Sequence, residues 1–349
     1  MILTTTIGSY PKPNYLKIPD WFQGETGTDT EYPTQDWKEA INSIGPNISE
    51  IIEKAAAEVI NDQIDCGIDI VTDGEIRREN YIHYHCRFID GIDFDNLTMK
   101  TARTENYNCW LPTIVNKIKF TKPFLSNEFR ISQSLSSKPV KITIPGPLTI
   151  TDTIADNYYR DNKKLSIDLS IAINHEIKHL ADSGCKHIQI DEPLFARKSK
   201  EAIEYGIENV ERCFHGISND IEKIVHICCG YPDKIDAKNY PKAPLTSYSE
   251  LADHLEYSSI SSISIEDAHR HNDLKLLEKY KTKKIIIGLV KIASSEIEEV
   301  EQIRNRIKEC LDHIDSERLV AAPDCGLGYL SRTLAKNKLI NLSKAAKSL

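Results

Sequence analysis

A (β/α)8 TIM barrel is the fold this sequence predicts, and three observations carry the prediction. Short β-branched runs alternate along the chain with longer segments of helical periodicity. The runs number eight: 2–7, 68–72, 140–144, 187–190, 223–227, 261–265, 284–289 and 318–321. No Gly-x-Gly-x-x-Gly follows the first run, which weakens the runner-up, a doubly wound open sheet that binds a dinucleotide.

The first run is β-branched at most positions and stops at Gly8. Residues 8–46 are rich in Pro, Gly, Asp and Thr and read as a long insertion after strand 1. Segment 49–66 then sets Ile51, Ile52, Ala55, Val59 and Ile60 at helical spacing. The second run leads into the largest interruption, residues 77–139, within which 128–133 reads as helical. Beyond the third run, helices are expected over 165–183, 200–213, 247–255, 273–280, 295–313 and 330–346. Such insertions decorate the face where barrel strands end, and that face carries barrel active sites. A single catalytic domain over residues 1–349 suits this length.

Composition narrows the partners. The chain has a net charge of −8 and no block of Lys and Arg, so nucleic acid is not expected. The longest apolar runs, such as 285–290, are too short to cross a bilayer, and the N-terminus lacks the pattern of a secretion signal. Nine scattered cysteines in a large chain point to reduced thiols in a cytoplasm, with any special ones metal-binding or catalytic.

Polar residues collect just after the runs. His226 and Cys228 stand two apart on the fifth strand and share one face, whereas Cys229 takes the other. Two ligands do not make a zinc site, since zinc takes three or four N, S or O donors. Glu266 and Cys325 end two other strands and are candidates to complete the set. A hydrogen-bonded buried histidine beside a buried thiol is the plain alternative. Asp191 and Glu192 follow the fourth strand, where buried carboxylates must be paired or used. They are suited either to hold a substrate ammonium or to cap a helix. Glu75, followed by Arg77 and Arg78, carries the same ambiguity between ligand binding and mutual pairing. His83, His85 and Cys86 are a weak second metal candidate.

Taken in order, Thr-Thr-Thr-Ile-Gly-Ser-Tyr-Pro-Lys-Pro, Asp-Gly-Glu, Ile-Pro-Gly-Pro-Leu-Thr-Ile, Ile-Gln-Ile-Asp-Glu-Pro, Val-His-Ile-Cys, Ile-Ser-Ile-Glu and Pro-Asp-Cys-Gly-Leu span residues 4 to 327. This series resembles the catalytic C-terminal barrel of the cobalamin-independent methionine synthase family, in the shorter core form without an N-terminal barrel. The resemblance implies a barrel with zinc in its mouth, held by His226, Cys228, Glu266 and Cys325. It also implies a homocysteine site at Ile7, Gly8, Ser9, Glu75 and Asp191. Ser9 and nearby backbone would take the carboxylate there, and Glu75 and Asp191 the ammonium. The implied reaction methylates homocysteine to methionine, with Glu266 the ligand that loosens as the substrate sulfur arrives.

The methyl-donor half departs from the family. Ala293 stands where the family has a histidine that protonates the folate leaving group. Thr153 replaces a tryptophan that packs on the folate, and Arg197 replaces a glutamate that contacts it. A methylcorrinoid, whose leaving group needs no acid, suits this pattern better than methyl-tetrahydrofolate, and so does a separate donor protein. A folate served by another acid, Asp152 or His269, stays open. Three alternatives keep the barrel: alkyl transfer to another thiol such as coenzyme M, a metal-binding or thiol-sensing protein without turnover, and a metal-free enzyme of the uroporphyrinogen-decarboxylase type.

Overall fold

The computed structural model describes residues 1–20, 33–102, 107–230, 234–237 and 240–349. Part of the first insertion, residues 21–32, therefore lies outside the described residues. Strands β1 (Leu3–Thr4), β2 (Val71–Thr72), β5 (Val140–Pro145), β7 (His187–Asp191), β8 (Glu222–Ile227), β9 (Ser262–Ile265), β10 (Lys284–Val290) and β11 (Leu319–Pro323) form one eight-stranded sheet. Its order is β1-β11-β10-β9-β8-β7-β5-β2, and every pairing is parallel. The two edges meet through a parallel bridge between Thr5 and Ile70, and Thr6 N–H donates to Ile70 O. The sheet thus curls on itself as a barrel.

The helices are α1 (Pro33–Ile44), α2 (Ile48–Asp65), α3 (Tyr81–Cys86), α4 (Leu125–Ser134), α5 (Pro147–Thr153), α6 (Asn162–Asp182), α7 (Leu194–Arg197), α8 (Ser199–Glu201), α9 (Ile207–Cys213), α10 (Ser247–Glu256), α11 (Val300–Leu311) and α12 (Arg332–Lys347). Helix α2 buries Ala55, Val59 and Ile60 of the expected stripe, with Ala56 beside them, while Ile51 and Ile52 are half-buried. Asp161 starts α6 by accepting from the Lys163 and Lys164 amides, and Ser331 starts α12 by accepting from Leu334. A capping box between Glu299 and Gln302 starts α11 at Val300, later than the expected residue 295. Segment 273–280, expected as an α-helix, is a 3-10 turn over Leu274–Lys279, and Asp273 caps the Lys275 amide. Within 200–213 a π-turn over Ala202–Gly206 interrupts the expected helix.

Residues 77–139 contain more regular structure than expected. They hold α3, an antiparallel hairpin of β3 (Ile89–Ala102) with β4 (Tyr107–Phe120), and α4. Strand β6 (Ala155–Asp156) joins β4 from beyond β5. Register shifts between Asp90 and Ile92 and between Asp93 and Thr98 break the two-residue alternation that marks a strand in sequence.

The barrel interior is divided. One side packs Ile7, Ile224, Ile286, Val320 and Ala322 into a small apolar cluster. The other side is polar and contains Lys141, Gln189 and Thr143, all buried. Among the described residues no helix is long and apolar enough to cross a membrane.

Candidate active site

Three soft donors converge at the barrel mouth. His226 is inward-facing on β8, Cys228 follows the end of that strand, and Cys325 follows β11. Their ligand atoms all lie within 4.8 Å of one another, and no other such group occurs among the described residues. His226 Nε2 stands 3.4 Å from Cys325 Sγ. Two ligands of a tetrahedral zinc are separated by about 3.5 Å, given the usual metal–ligand bond lengths. On the other side of the ring, His226 Nδ1 lies 2.9 Å from Ser264 Oγ, which orients the imidazole and leaves Nε2 to face the cysteines. Burial and the positive charge of Lys141 push the His226 pKa down to about 3, so the ring is neutral, the form that ligates metals. The shared hydrogen bond with Cys325, together with burial, pushes the Cys228 thiol well up. A cation replacing those thiol protons would relieve that penalty. The residues present fit a zinc ion.

Glu266 takes a different position. It follows β9, and its Oε1 accepts from the Cys229 amide at 2.9 Å. Its Oε2 accepts from Lys242 Nζ, also at 2.9 Å. It stands outside the three donor atoms that lie within 4.8 Å of one another, and its side chain hydrogen-bonds with the Cys228 thiol. Cys229 is buried away from that group, and burial pushes its thiol up to about 11.

Beside the donors lies a cleft with Ile7, Gly8, Ser9, Glu75, Asp191, His226, Cys228 and Cys325 in its wall. Gly8 belongs here because a Cβ would come within 2.7 Å of Glu75 Oε1. Gly326 is required likewise, since a Cβ would come within 2.2 Å of Ser9 Oγ. Glu75 has φ +55, a left-handed backbone that aims its carboxylate into the barrel. That carboxylate accepts from Arg78 Nη1 at 3.1 Å and from Thr143 Oγ1 at 2.5 Å. Asp191 Oδ1 accepts from the Gln189 amide at 2.7 Å. Burial, then the charge of Glu75, pushes the Asp191 pKa up to about 8. Burial raises Glu75 as well, against the pull of Arg78. Two carboxylates sharing one buried pocket suit a cation between them.

The Asp191-Glu192 ambiguity resolves one residue each way. Asp191 lines the cleft, whereas Glu192 caps α5: its oxygens accept from the Leu148 and Thr149 amides at 2.9 and 3.0 Å. Glu75 and Arg78 pair with each other and still line or support the cleft. Sequence reasoning missed Lys141, Gln189 and Lys242. Lys141 is fully buried with no hydrogen-bond partner for Nζ among the described residues, and burial pushes its pKa down to about 7. The signal for it was a lysine inside an otherwise apolar strand, Val-Lys-Ile-Thr-Ile.

The other side of the mouth is built differently. Thr153 Oγ1 turns back to Thr149 O, and Arg197 is solvent-exposed. The Asp152 carboxylate is paired with Lys198. His269 Nε2 accepts from the Ile292 and Ala293 amides at 3.0 and 3.2 Å, and burial pushes its pKa down to about 3. Both substitute acids are thus already engaged. His83, His85 and Cys86 are buried on α3 and form no metal-ligating group.

A barrel with such a mouth suits a methyltransferase, and comparison with known proteins supports that class. Residues 2–348 match the family model described as cobalamin-independent synthase, catalytic domain. The chain belongs to the cobalamin-independent methionine synthase family. It is 31% identical over 350 residues to a methionine synthase of Saccharolobus solfataricus, covering 99% of this chain and 94% of that one. It is 30% identical to a methionine synthase of Sulfurisphaera tokodaii, covering 99% and 91%. A B12-independent methionine synthase from Shewanella sp. W3-18-1, solved in complex with selenomethionine, superposes with a TM-score of 0.85 at 28% identity. That match covers 100% of this chain and 98% of the other. A putative vitamin-B12-independent methionine synthase from Listeria monocytogenes shares the fold, with a TM-score of 0.72 at 19% identity over 100% of this chain and 98% of that one.

Proposed function

We propose that this chain, as one catalytic domain over residues 1–349, is a zinc-dependent methyltransferase that converts L-homocysteine to methionine. One observation carries the reading: three soft donors and two buried carboxylates face a single cleft. His226, Cys228 and Cys325 would hold the zinc, with Glu266 beside them. Bound there, zinc would keep the substrate sulfur deprotonated and nucleophilic at neutral pH.

The protein's own groups do the rest. Asp191 and Glu75 bind the substrate ammonium, and Ser9 with the adjoining backbone binds its carboxylate. Gln189 fixes Asp191, and Arg78 with Thr143 fixes Glu75. The substrate is thereby held with its sulfur toward the three donors, a positioning that lowers the barrier to in-line attack on a methyl carbon. The complex of the Shewanella protein with selenomethionine supports an amino-acid ligand for this chain. Coenzyme M has no amine, so two buried carboxylates disfavour it. A uroporphyrinogen-decarboxylase-like reaction needs no such donor group.

For the methyl donor we favour a methylcorrinoid, presented by a separate protein, over methyl-tetrahydrofolate. Ala293 has no transferable proton, and the nearby His269 and Asp152 are occupied. The free thiols suit a reducing cytoplasm.

The test is methionine formation from homocysteine with methylcobalamin and, separately, with methyl-tetrahydrofolate, using protein of measured zinc content. Zinc at one per chain and turnover with methylcobalamin are expected. No methionine from either donor in zinc-loaded protein would overturn the activity. Faster turnover with the folate would overturn the donor.

A further inference from the structure

The turn after β2 sends two adjacent arginines in different directions. Arg78 points into the barrel, where its Nη1 donates to Glu75 Oε1 and Thr143 Oγ1. Arg77 lines a separate cavity of about 390 Å³ between the N-terminal turns of α2 and α4. That volume lies in the range of small-molecule sites. None of its lining residues is shared with the substrate cleft.

The buried part of this cavity holds two opposite charges that do not pair with each other. Arg77 is only 8% exposed, yet its Nη1 has no hydrogen-bond partner and the guanidinium forms no ion pair among the described residues. Glu128 is 9% exposed, and its Oε1 accepts from the Tyr84 hydroxyl instead. Burial pushes the Glu128 carboxyl up, against the pull of Arg77. A buried charge in this state is costly, and a ligand group of opposite sign relieves it. At the exposed rim Glu53 and Lys122 again supply one charge of each sign. The lining is thus neutral in sum. A plain anion would be drawn to Arg77 and repelled by Glu128, whereas a zwitterion meets both. The walls between are apolar: Phe88 and Phe124 stack with ring centres 3.9 Å apart, and Ile52 and Ile131 flank them from α2 and α4.

We infer that this cavity is a second ligand site, for a free α-amino acid with an apolar side chain, its carboxylate on Arg77, its ammonium on Glu128 and its side chain against Phe88 and Phe124. The planar fork of a guanidinium takes a carboxylate through two parallel hydrogen bonds. The site does not depend on the zinc reading above. It lies one residue along the chain from Arg78, which holds Glu75 in the substrate cleft.

The test is calorimetry on the full chain with L-leucine as the probe, in the wild type, Arg77→Met, Glu128→Gln and Asp191→Asn. Leucine is expected to bind the wild type, and to bind Asp191→Asn within about twofold of it. Arg77→Met and Glu128→Gln should each weaken leucine by about tenfold or more. Isocaproate, which lacks the ammonium, and isoamylamine, which lacks the carboxylate, should each bind the wild type about tenfold more weakly than leucine. Thermal unfolding checks that each variant is folded. Unchanged leucine affinity in folded Arg77→Met or Glu128→Gln overturns the inference, and so does a wild type that binds no leucine. Leucine binding lost in Asp191→Asn and kept in Arg77→Met would place the amino acid in the substrate cleft and overturn it as well. Isocaproate binding as tightly as leucine would make the cavity a plain carboxylate site, again against the inference. If the Arg77 and Glu128 variants do not fold, wild-type crystals soaked with leucine decide. Leucine seated with its carboxylate on Arg77 upholds the inference, and a cavity without leucine overturns it.

Discussion

The two halves of the barrel mouth are built by different means. The thiol half stands on strand ends: His226, Asp191, Cys228 and Cys325 on or within two residues of the ends of β7, β8 and β11, all buried or nearly so. The donor half is a rim of loops and short helices, where Arg197 is exposed and Thr153, Asp152 and His269 bond to their own neighbours. Parallel ladders hold the first set in fixed register, and a side chain there can be exchanged only by leaving a buried group unpaired. The rim carries no such constraint. Under the proposed function, one barrel keeps its way of activating a thiol while the methyl donor it accepts differs.

The sharpest way to break this comparison is Cys325→Ser. Removing one of three converging donors is expected to lower zinc affinity by about 100-fold or more and to abolish turnover. Metal content after dialysis checks it, and full zinc retention would remove Cys325 from the site. Asp191→Asn comes next. Loss of one partner of a buried charge pair is expected to cost about 2–5 kcal/mol in binding of an amino-acid thiol. Binding of the same thiol without its amine should hardly change, and calorimetry with both ligands separates the two.

The third prediction concerns pH. With methionine as ligand, the pKa of Asp191, near 8 in the free protein, must fall when the ammonium binds. Below pH 8 a proton must therefore leave before the pair forms. Affinity for methionine should rise about tenfold per unit between pH 6 and pH 8 and then level off. In Asp191→Asn the slope should vanish, and a slope that persists would assign the titration to another group. The smallest effects are expected at the rim and at the bystander thiol. Thr153→Ala, Arg197→Ala and Cys229→Ala should each leave homocysteine and zinc affinities within about twofold of the wild type. A larger loss in the rim variants would mean that the two halves of the mouth are coupled.

Much of the thiol half was legible in the chain because its residues lie on or beside strands. The two-residue period places His226 and Cys228 on one face and Cys229 on the other without reference to any other element. Asp191 and Glu192 were not separable in this way, since their fates depend on where α5 begins. The insertion hairpin was hidden by its register shifts. Lys242 could not be read at all: it lies in an irregular loop and reaches Glu266 only because that loop folds back onto the end of β8.

Local order along the chain was enough to specify the barrel, the family and three residues that converge at its mouth, His226, Cys228 and Cys325, because periodicity and the residue types at strand ends are written in sequence. Only the tertiary structure decided which carboxylate faces the cleft, that Lys141 lies buried beneath it, and that Glu266 is paired with a lysine beside the donor group. Those outcomes depend on burial and on partners far apart in sequence, and neither is a property of any one segment.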